Sequence, residues 1–245
     1  MSKYKIDIKD LLESGAHFGH KTSRWHPKMA PYIHSVRDGV HIIDLTKTVE
    51  CLESALGFIE GVVGSGKQIL LVGNKKQAQE IVKQAAVDTG MPFVVKRWLG
   101  GMLTNFNTMN ERIKHLKDTE FKMSSGELAA KYSKLEVQRF QEEIDHMNEI
   151  YGGIKDLNGR PGAVFITDVI QDATAVREAK KLAIPIIAIV DSNVDPSQIN
   201  YPIPANDDSI KTIKLIVGFV EEAIKNGKAT RLKTQPVELE TTVKK

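Results

Sequence analysis

Cysteine is almost missing from this chain of 245 residues: Cys51 stands alone, which excludes an internal disulfide and a cysteine-rich zinc site. It sits in Val49-Glu50-Cys51-Leu52-Glu53-Ser54-Ala55-Leu56, a helical apolar face, so the thiol reads as a packing group rather than a nucleophile. Long apolar runs are missing too. The longest, residues 184–190, has the length of a strand and is too short to span a membrane. The segment Met1-Ser2-Lys3-Tyr4-Lys5-Ile6-Asp7 has no uninterrupted apolar core of the signal-peptide kind, and a soluble, cytoplasmic protein is the expectation. Charge of one sign is scarce: 34 Lys and Arg oppose 31 Asp and Glu, for a formal net charge of +3. That balance admits a nucleic-acid partner only through local clustering of cations. There is no serine-histidine-aspartate spacing, metalloprotease motif or nucleophile elbow. Asp168, Asp172 and Asp191 are carboxylates at strand-to-helix turns, where capping is routine. No catalytic constellation results, and an enzyme is not expected.

What is present is an alternation of buried-strand runs and amphipathic helices. With 41% hydrophobic residues the chain can bury a substantial core. Strands are expected at 41–45, 68–72, 92–95, 163–166 and 186–190, and helices from Thr46, at 75–89, at 172–182 and at 207–226. Gly90 and Gly227 are the expected stops of the second and last of these helices. Continuous apolar strands joined by helices imply a parallel sheet covered on both faces, the doubly wound α/β class.

That alternation breaks at Gly100-Gly101. A charged helical stretch runs from there to Ile150 and closes on Gly152-Gly153. Phe106, Met109, Ile113 and Leu116 recur at three-four spacing, as do Val137, Phe140, Ile144, Met147 and Tyr151, with Ser124-Ser125-Gly126 between the two stripes. Such narrow seams are the pattern of an antiparallel two-helix coiled coil; helices packed on the domain would show wider apolar faces. The expected organisation is an α/β domain of residues 1–103 and 152–227, an inserted hairpin of 104–151, and a polar tail of 228–245.

Several motifs invite a functional reading. Gly61-Val62-Val63-Gly64-Ser65-Gly66-Lys67-Gln68 has the glycine and lysine spacing of a phosphate loop. It places Gln68 where a metal-binding hydroxyl is needed, and it leaves a helix to enter a strand, the reverse of the required order, so it reads as a helix stop. Leu71-Val72-Gly73-Asn74-Lys75-Lys76 lies at a strand end, where α/β proteins bind ligands, with two lysines against the helix dipole. His17 and His20 have a spacing a metal can use, but only the distant Asp191, Asp207 and Asp208 could complete a set. No cofactor is expected. Lys21, Arg24, Trp25, Lys28 and Arg37 mix cations with an aromatic, which suits phosphate contact and stacking on unpaired bases, and Arg97-Trp98 repeats the pairing. Either tryptophan could instead anchor its loop in the core. Together with Lys75 and Lys76, these residues are the candidate nucleic-acid contacts.

Longer stretches carry a resemblance. Ser14-Gly15-Ala16-His17-Phe18-Gly19-His20, Trp25-His26-Pro27-Lys28-Met29 and His41-Ile42-Ile43-Asp44-Leu45-Thr46-Lys47-Thr48 resemble the bacterial small-subunit ribosomal protein two family. So do Arg97-Trp98-Leu99-Gly100-Gly101-Met102-Leu103-Thr104-Asn105, Ile184-Pro185-Ile186-Ile187-Ala188-Ile189-Val190-Asp191-Ser192-Asn193, and Ile203-Pro204-Ala205-Asn206-Asp207-Asp208. The motifs run in order along nearly the whole chain. The resemblance implies a flavodoxin-like domain with an inserted coiled-coil hairpin, in a non-catalytic component of the small ribosomal subunit. It implies contact with small-subunit rRNA and with neighbouring ribosomal proteins, including help in docking the mRNA-recruiting ribosomal protein one. A role in translation initiation follows. Ala183 stands where the family often has glycine, and the acidic extension of some members is missing. Two other classes fit parts of the chain: an α/β enzyme or cofactor-binding protein using the cleft at Gly73 and Asp168, and a coiled-coil signalling adaptor.

Overall fold

The computed structural model describes residues 4–234, the side chains of 233 and 234 excepted. The chain opens with α1 (Ile8–Ser14), β1 (Phe18–Lys21), β2 (Ile33–Arg37), β3 (Val40–Ile43) and α2 (Leu45–Gly64). Then come β4 (Ile69–Val72), α3 (Lys76–Thr89), β5 (Phe93–Val94), α4 (Phe106–Ser124), α5 (Glu127–Lys131) and α6 (Lys134–Tyr151). It finishes with β6 (Ala163–Ile166), α7 (Ala173–Lys181), β7 (Ile186–Val190), β8 (Tyr201–Pro204) and α8 (Ile210–Thr234).

Five strands form one parallel sheet in the order β5-β4-β6-β7-β8. Numbered along the chain this is the order of a flavodoxin-like doubly wound sheet. Its strands are buried on both faces, so alternate residues feed opposite layers. Ile69, Leu71, Phe165, Ile187 and Ile189 face the layer built by α2, α3 and α8. Leu70, Val72, Val164, Ile166 and Ala188 face a second layer. Only α7 covers that second face as a regular crossover helix. The rest of the cover includes Met29, the loop residues Trp98, Met102 and Leu103, and Met109 and Ile113 near the start of α4.

Three features depart from the sequence reading. The expected strand at 41–45 is β3, and it does not join the parallel sheet. It is the centre of a separate antiparallel sheet, β1-β3-β2, whose outer strands are too polar and irregular to read as buried strands. The helix after it starts at Leu45, with the Asp44 side chain accepting from the Thr46 backbone N–H, so the cap is Asp44 rather than Thr46. The last helix, α8, does not stop at Gly227 but continues to Thr234. Gly227 is a crossing point: a Cβ there would lie 2.8 Å from the Glu60 carbonyl oxygen of α2. The expected tail therefore begins as helix, and residues 235–245 lie outside the described residues.

Gly66, at φ +85°, follows α2 and leads into β4, which makes the glycine-rich loop a helix stop, as its order of elements implies. At Gly73 a Cβ would meet the Val82 side chain at 2.7 Å, so this glycine serves close packing of β4 on α3. The inserted segment is α4, a turn through Gly126 at φ +76°, the short α5, and α6 opened by a Ser133–Glu136 capping box. Leu116 and Ile144 are buried within it, whereas Phe121 and Leu135 are exposed.

Candidate nucleic-acid interface

The candidate residues fall into three places. The first is the antiparallel sheet. Cross-strand register sets Lys21 of β1 and Arg37 of β2 on either side of Val40, and both cations are exposed. Arg24 follows on a single 3-10 turn, Thr22–Arg24, and is exposed as well. With Lys21, Val40, His20, Asp191 and Asp208 it lines an open cleft of about 380 Å³. Trp25 is 37% exposed, and its ring lies on that of His41, centroids 4.8 Å apart and planes 30° apart. One face is thus anchored, and over a third of the residue remains in solvent.

Lys28 is exposed but engaged. Its ammonium donates to Asp195 Oδ2 and to Ser197 Oγ, each at 2.8 Å, and holds the Asp195 carboxyl well below the usual carboxylate range. It ties the segment after β1 to the loop after β7.

The second place is the carboxyl edge of the parallel sheet. Here Lys75 lies 2.7 Å from Asp208, 2.8 Å from Asp207 and 3.2 Å from Asp168. Burial alone would lower the pKa of this lysine, but Asp207, Asp208 and Asp168 outweigh it and hold the pKa above the ordinary value. Asp207 is pushed the other way, up to about 7, by burial and by the neighbouring charges of Asp168 and Asp191. His20 reaches into the same cluster, 3.1 Å from Asp191 and 3.7 Å from Asp208, and its pKa is raised chiefly by Asp191. His17 is not part of it; burial lowers its pKa, and its Nδ1 has no partner among the described residues. Among those residues no three His, Cys, Asp or Glu side chains are arranged to hold a metal ion. The edge where a doubly wound fold binds ligands is filled by the protein's own ion pairs. Lys76, next to Lys75, is exposed and makes none of these ion pairs.

The third place is the loop from Lys96 to Asn105. Arg97 is exposed, and Trp98 is 8% exposed with its indole N–H donating to Glu178 Oε1 at 3.1 Å. Of the two readings of Trp98, the structure selects the anchor. Glu178, on α7, was not singled out by the sequence reading. It had a signal: a carboxylate in the apolar stripe of Ala175, Val176 and Ala179 must find buried donors or cost the fold several kcal/mol, roughly.

Residues 11–227 match the family model described as Ribosomal protein S2. The chain belongs to the ribosomal protein S2 family. Among its relatives is the small ribosomal subunit protein uS2 of Chloroflexus aggregans, 47% identical over 94% of this chain and 96% of the relative. The uS2 protein of Roseiflexus sp. is 47% identical over 92% of this chain and 86% of its own length. That of Coprothermobacter proteolyticus is 44% identical over 92% and 84%. A ribosomal protein of this family is a structural component rather than an enzyme. No described helix of this S2-family chain is long and apolar enough to cross a membrane.

Proposed function

We propose that this protein is a structural constituent of the small ribosomal subunit that grips small-subunit rRNA at two separated places. The observation that carries the reading is the family match along residues 11–227, together with relatives named as small ribosomal subunit proteins. The first grip is the α/β domain of residues 1–103 and 152–227. Its phosphate contacts are Lys21, Arg24, Arg37, Lys76 and Arg97, which have no ion-pair partner among the described residues, and Trp25 supplies the exposed aromatic face. Lys28, Lys75 and Trp98 support the surface from within, because their polar groups are already engaged.

The second grip is the insertion, residues 104–151, acting as an antiparallel coiled-coil lever whose far end exposes Phe121 and Leu135. In this reading the protein also helps dock the mRNA-recruiting ribosomal protein one, and so supports initiation of translation. It needs no cofactor. Any metal at the His20, Asp191, Asp207 and Asp208 cluster would be structural. An α/β enzyme using the cleft at Gly73 and Asp168 is disfavoured by the ion pairs that fill that edge.

The test is sedimentation of the tagged protein from cell extracts through sucrose gradients at low and moderate salt. Stoichiometric co-migration with the small ribosomal subunit supports the reading. Protein that stays at the top of both gradients overturns it.

A further inference from the structure

The loop that leads into the insertion is wrapped around one carboxylate. Glu178 Oε1 accepts from Trp98 Nε1 at 3.1 Å and from the Gly101 backbone N–H at 2.7 Å. Glu178 Oε2 accepts from the backbone N–H groups of Leu103 and Thr104, at 3.0 and 3.1 Å, and from the Thr104 hydroxyl at 3.1 Å. Five donors from residues 98–104 thus converge on a side chain that is 8% exposed. Gly101 can aim its N–H inward because it sits at φ +92°, in the left-handed region. Burial would raise the pKa of Glu178, but the donors of Gly101, Trp98, Thr104 and Leu103 outweigh it and hold the carboxyl ionised. No lysine or arginine pairs with it among the described residues.

A buried charge held only by neutral donors is a poor way to add bulk stability, since an apolar side chain of similar volume avoids the desolvation cost. What the charge adds is direction. Two carboxylate oxygens set the orientation of three peptide N–H groups, one indole and one hydroxyl, and they do so immediately before α4 begins at Phe106. The return leg is held separately: Gly153, just after α6, lies so close to β5 that a Cβ would run into the Phe93 carbonyl oxygen.

We propose that Glu178 is a positioning residue, an anion built into the fold that locks loop 98–104 and so sets the angle at which the inserted helices leave the domain. The two rRNA grips of the proposed function then stand at a fixed spacing before any RNA is met. The latch is a property of the free protein, so its test uses no RNA and can fail independently of the ribosomal reading.

The experiment is amide hydrogen exchange on the full-length protein, paired with pulsed-EPR distances between spin labels at Ser124→Cys and Lys211→Cys in a Cys51→Ser background. In Glu178→Gln the amides of Gly101, Leu103 and Thr104 should exchange at least about tenfold faster, and the distance distribution should broaden. The strand amides of Leu71 and Val164 should stay protected. In Glu178→Ala the same loosening should occur, and millimolar acetate should reverse it by occupying the vacated donors, while acetamide should not. A narrow distance distribution in both variants overturns the proposal. So does simultaneous loss of protection in loop and strands, which would make Glu178 a general support of the core. Equal rescue by acetate and acetamide, or by neither, overturns the role of the charge.

Discussion

At the scale of single residues, the informative positions are those where chemistry and backbone disagree. Ala183, between α7 and β7, has φ +52°, a left-handed conformation that a Cβ makes unfavourable. Ala183→Gly should therefore stabilise the protein by about 0.5–1 kcal/mol, the strain relieved exceeding the added entropy of the unfolded glycine. Urea unfolding reads it as a higher midpoint at unchanged slope. Asp172 is a second such position. Its carboxyl is 1% exposed, one oxygen accepts from the Asn74 side-chain N–H, and the other oxygen is unpartnered, as is the Asn74 side-chain oxygen. Burial pushes its pKa up from 3.8 to about 7. The native state thus holds a proton the unfolded chain has released, and this group's contribution to stability falls as pH rises from 3.8 to about 7, then levels off. Asp172→Asn removes the charge and adds a donor that can face the Asn74 oxygen. It should raise stability at pH 8 by about 1–3 kcal/mol and have little effect near pH 4. Thermal unfolding across that range would show the two curves converging in acid; a uniform offset would mean that Asp172 is not the titrating group.

At the scale of elements, the contact between α2 and α8 reverses an ordinary rule. A glycine within a helix is normally about 1 kcal/mol worse than alanine. Gly227, however, meets both the Glu60 carbonyl oxygen and the Val63 Cβ at 2.8 Å from where its own Cβ would be. Gly227→Ala should destabilise by about 1–3 kcal/mol, because the two helices must separate to admit one methyl. Gly218 on the same helix has open space at its Cβ position, so Gly218→Ala should stabilise. Opposite signs in paired denaturant curves would establish the crossing, whereas equal signs would refute it. The extension of α8 past Gly227 has an evident purpose in packing: the Lys228 ammonium donates to the Thr89 carbonyl at the end of α3, where it also complements the helix dipole.

At the scale of the whole molecule, the near balance of charge matters as much as any single contact. With a net charge of only +3, attraction to RNA depends on local clusters of cations. Binding to free RNA should be weak and salt-dependent, with the face carrying Lys21, Arg24 and Arg37 contributing the largest share of the salt slope. Replacing these three cations with alanine should lower the slope of log affinity against log salt for an rRNA fragment by roughly 2–3, with folding intact. Replacing Lys75 should act differently. It leaves Asp168, Asp207 and Asp208 facing one another, so the loss should appear first as a lower melting temperature and only secondarily in RNA affinity. An unchanged melting temperature with a reduced salt slope would return Lys75 to the RNA surface.

Much of the fold is written locally. The periodicities of β4, β6, β7, α2 and α3, the helix stops at Gly66 and Gly90, and the apolar stripes of α4 and α6 are each decided by residues within a few positions of one another. A parallel α/β core with a charged helical stretch between β5 and β6 is therefore legible in the sequence, as are the positions of its cations and aromatics. Which of these polar groups are already engaged depends on pairings that the fold makes between distant segments. Lys75 and Asp207 are 132 positions apart, Lys28 and Asp195 are 167 apart, and Trp98 and Glu178 are 80 apart. Local periodicity reports how a segment buries its own face, and a charge or an indole looks the same in sequence whether its partner is water, a phosphate or a carboxylate brought in by the fold. The antiparallel β1-β3-β2 sheet escaped for the same reason, since its outer strands are short, half-exposed and defined mainly by pairing across the chain.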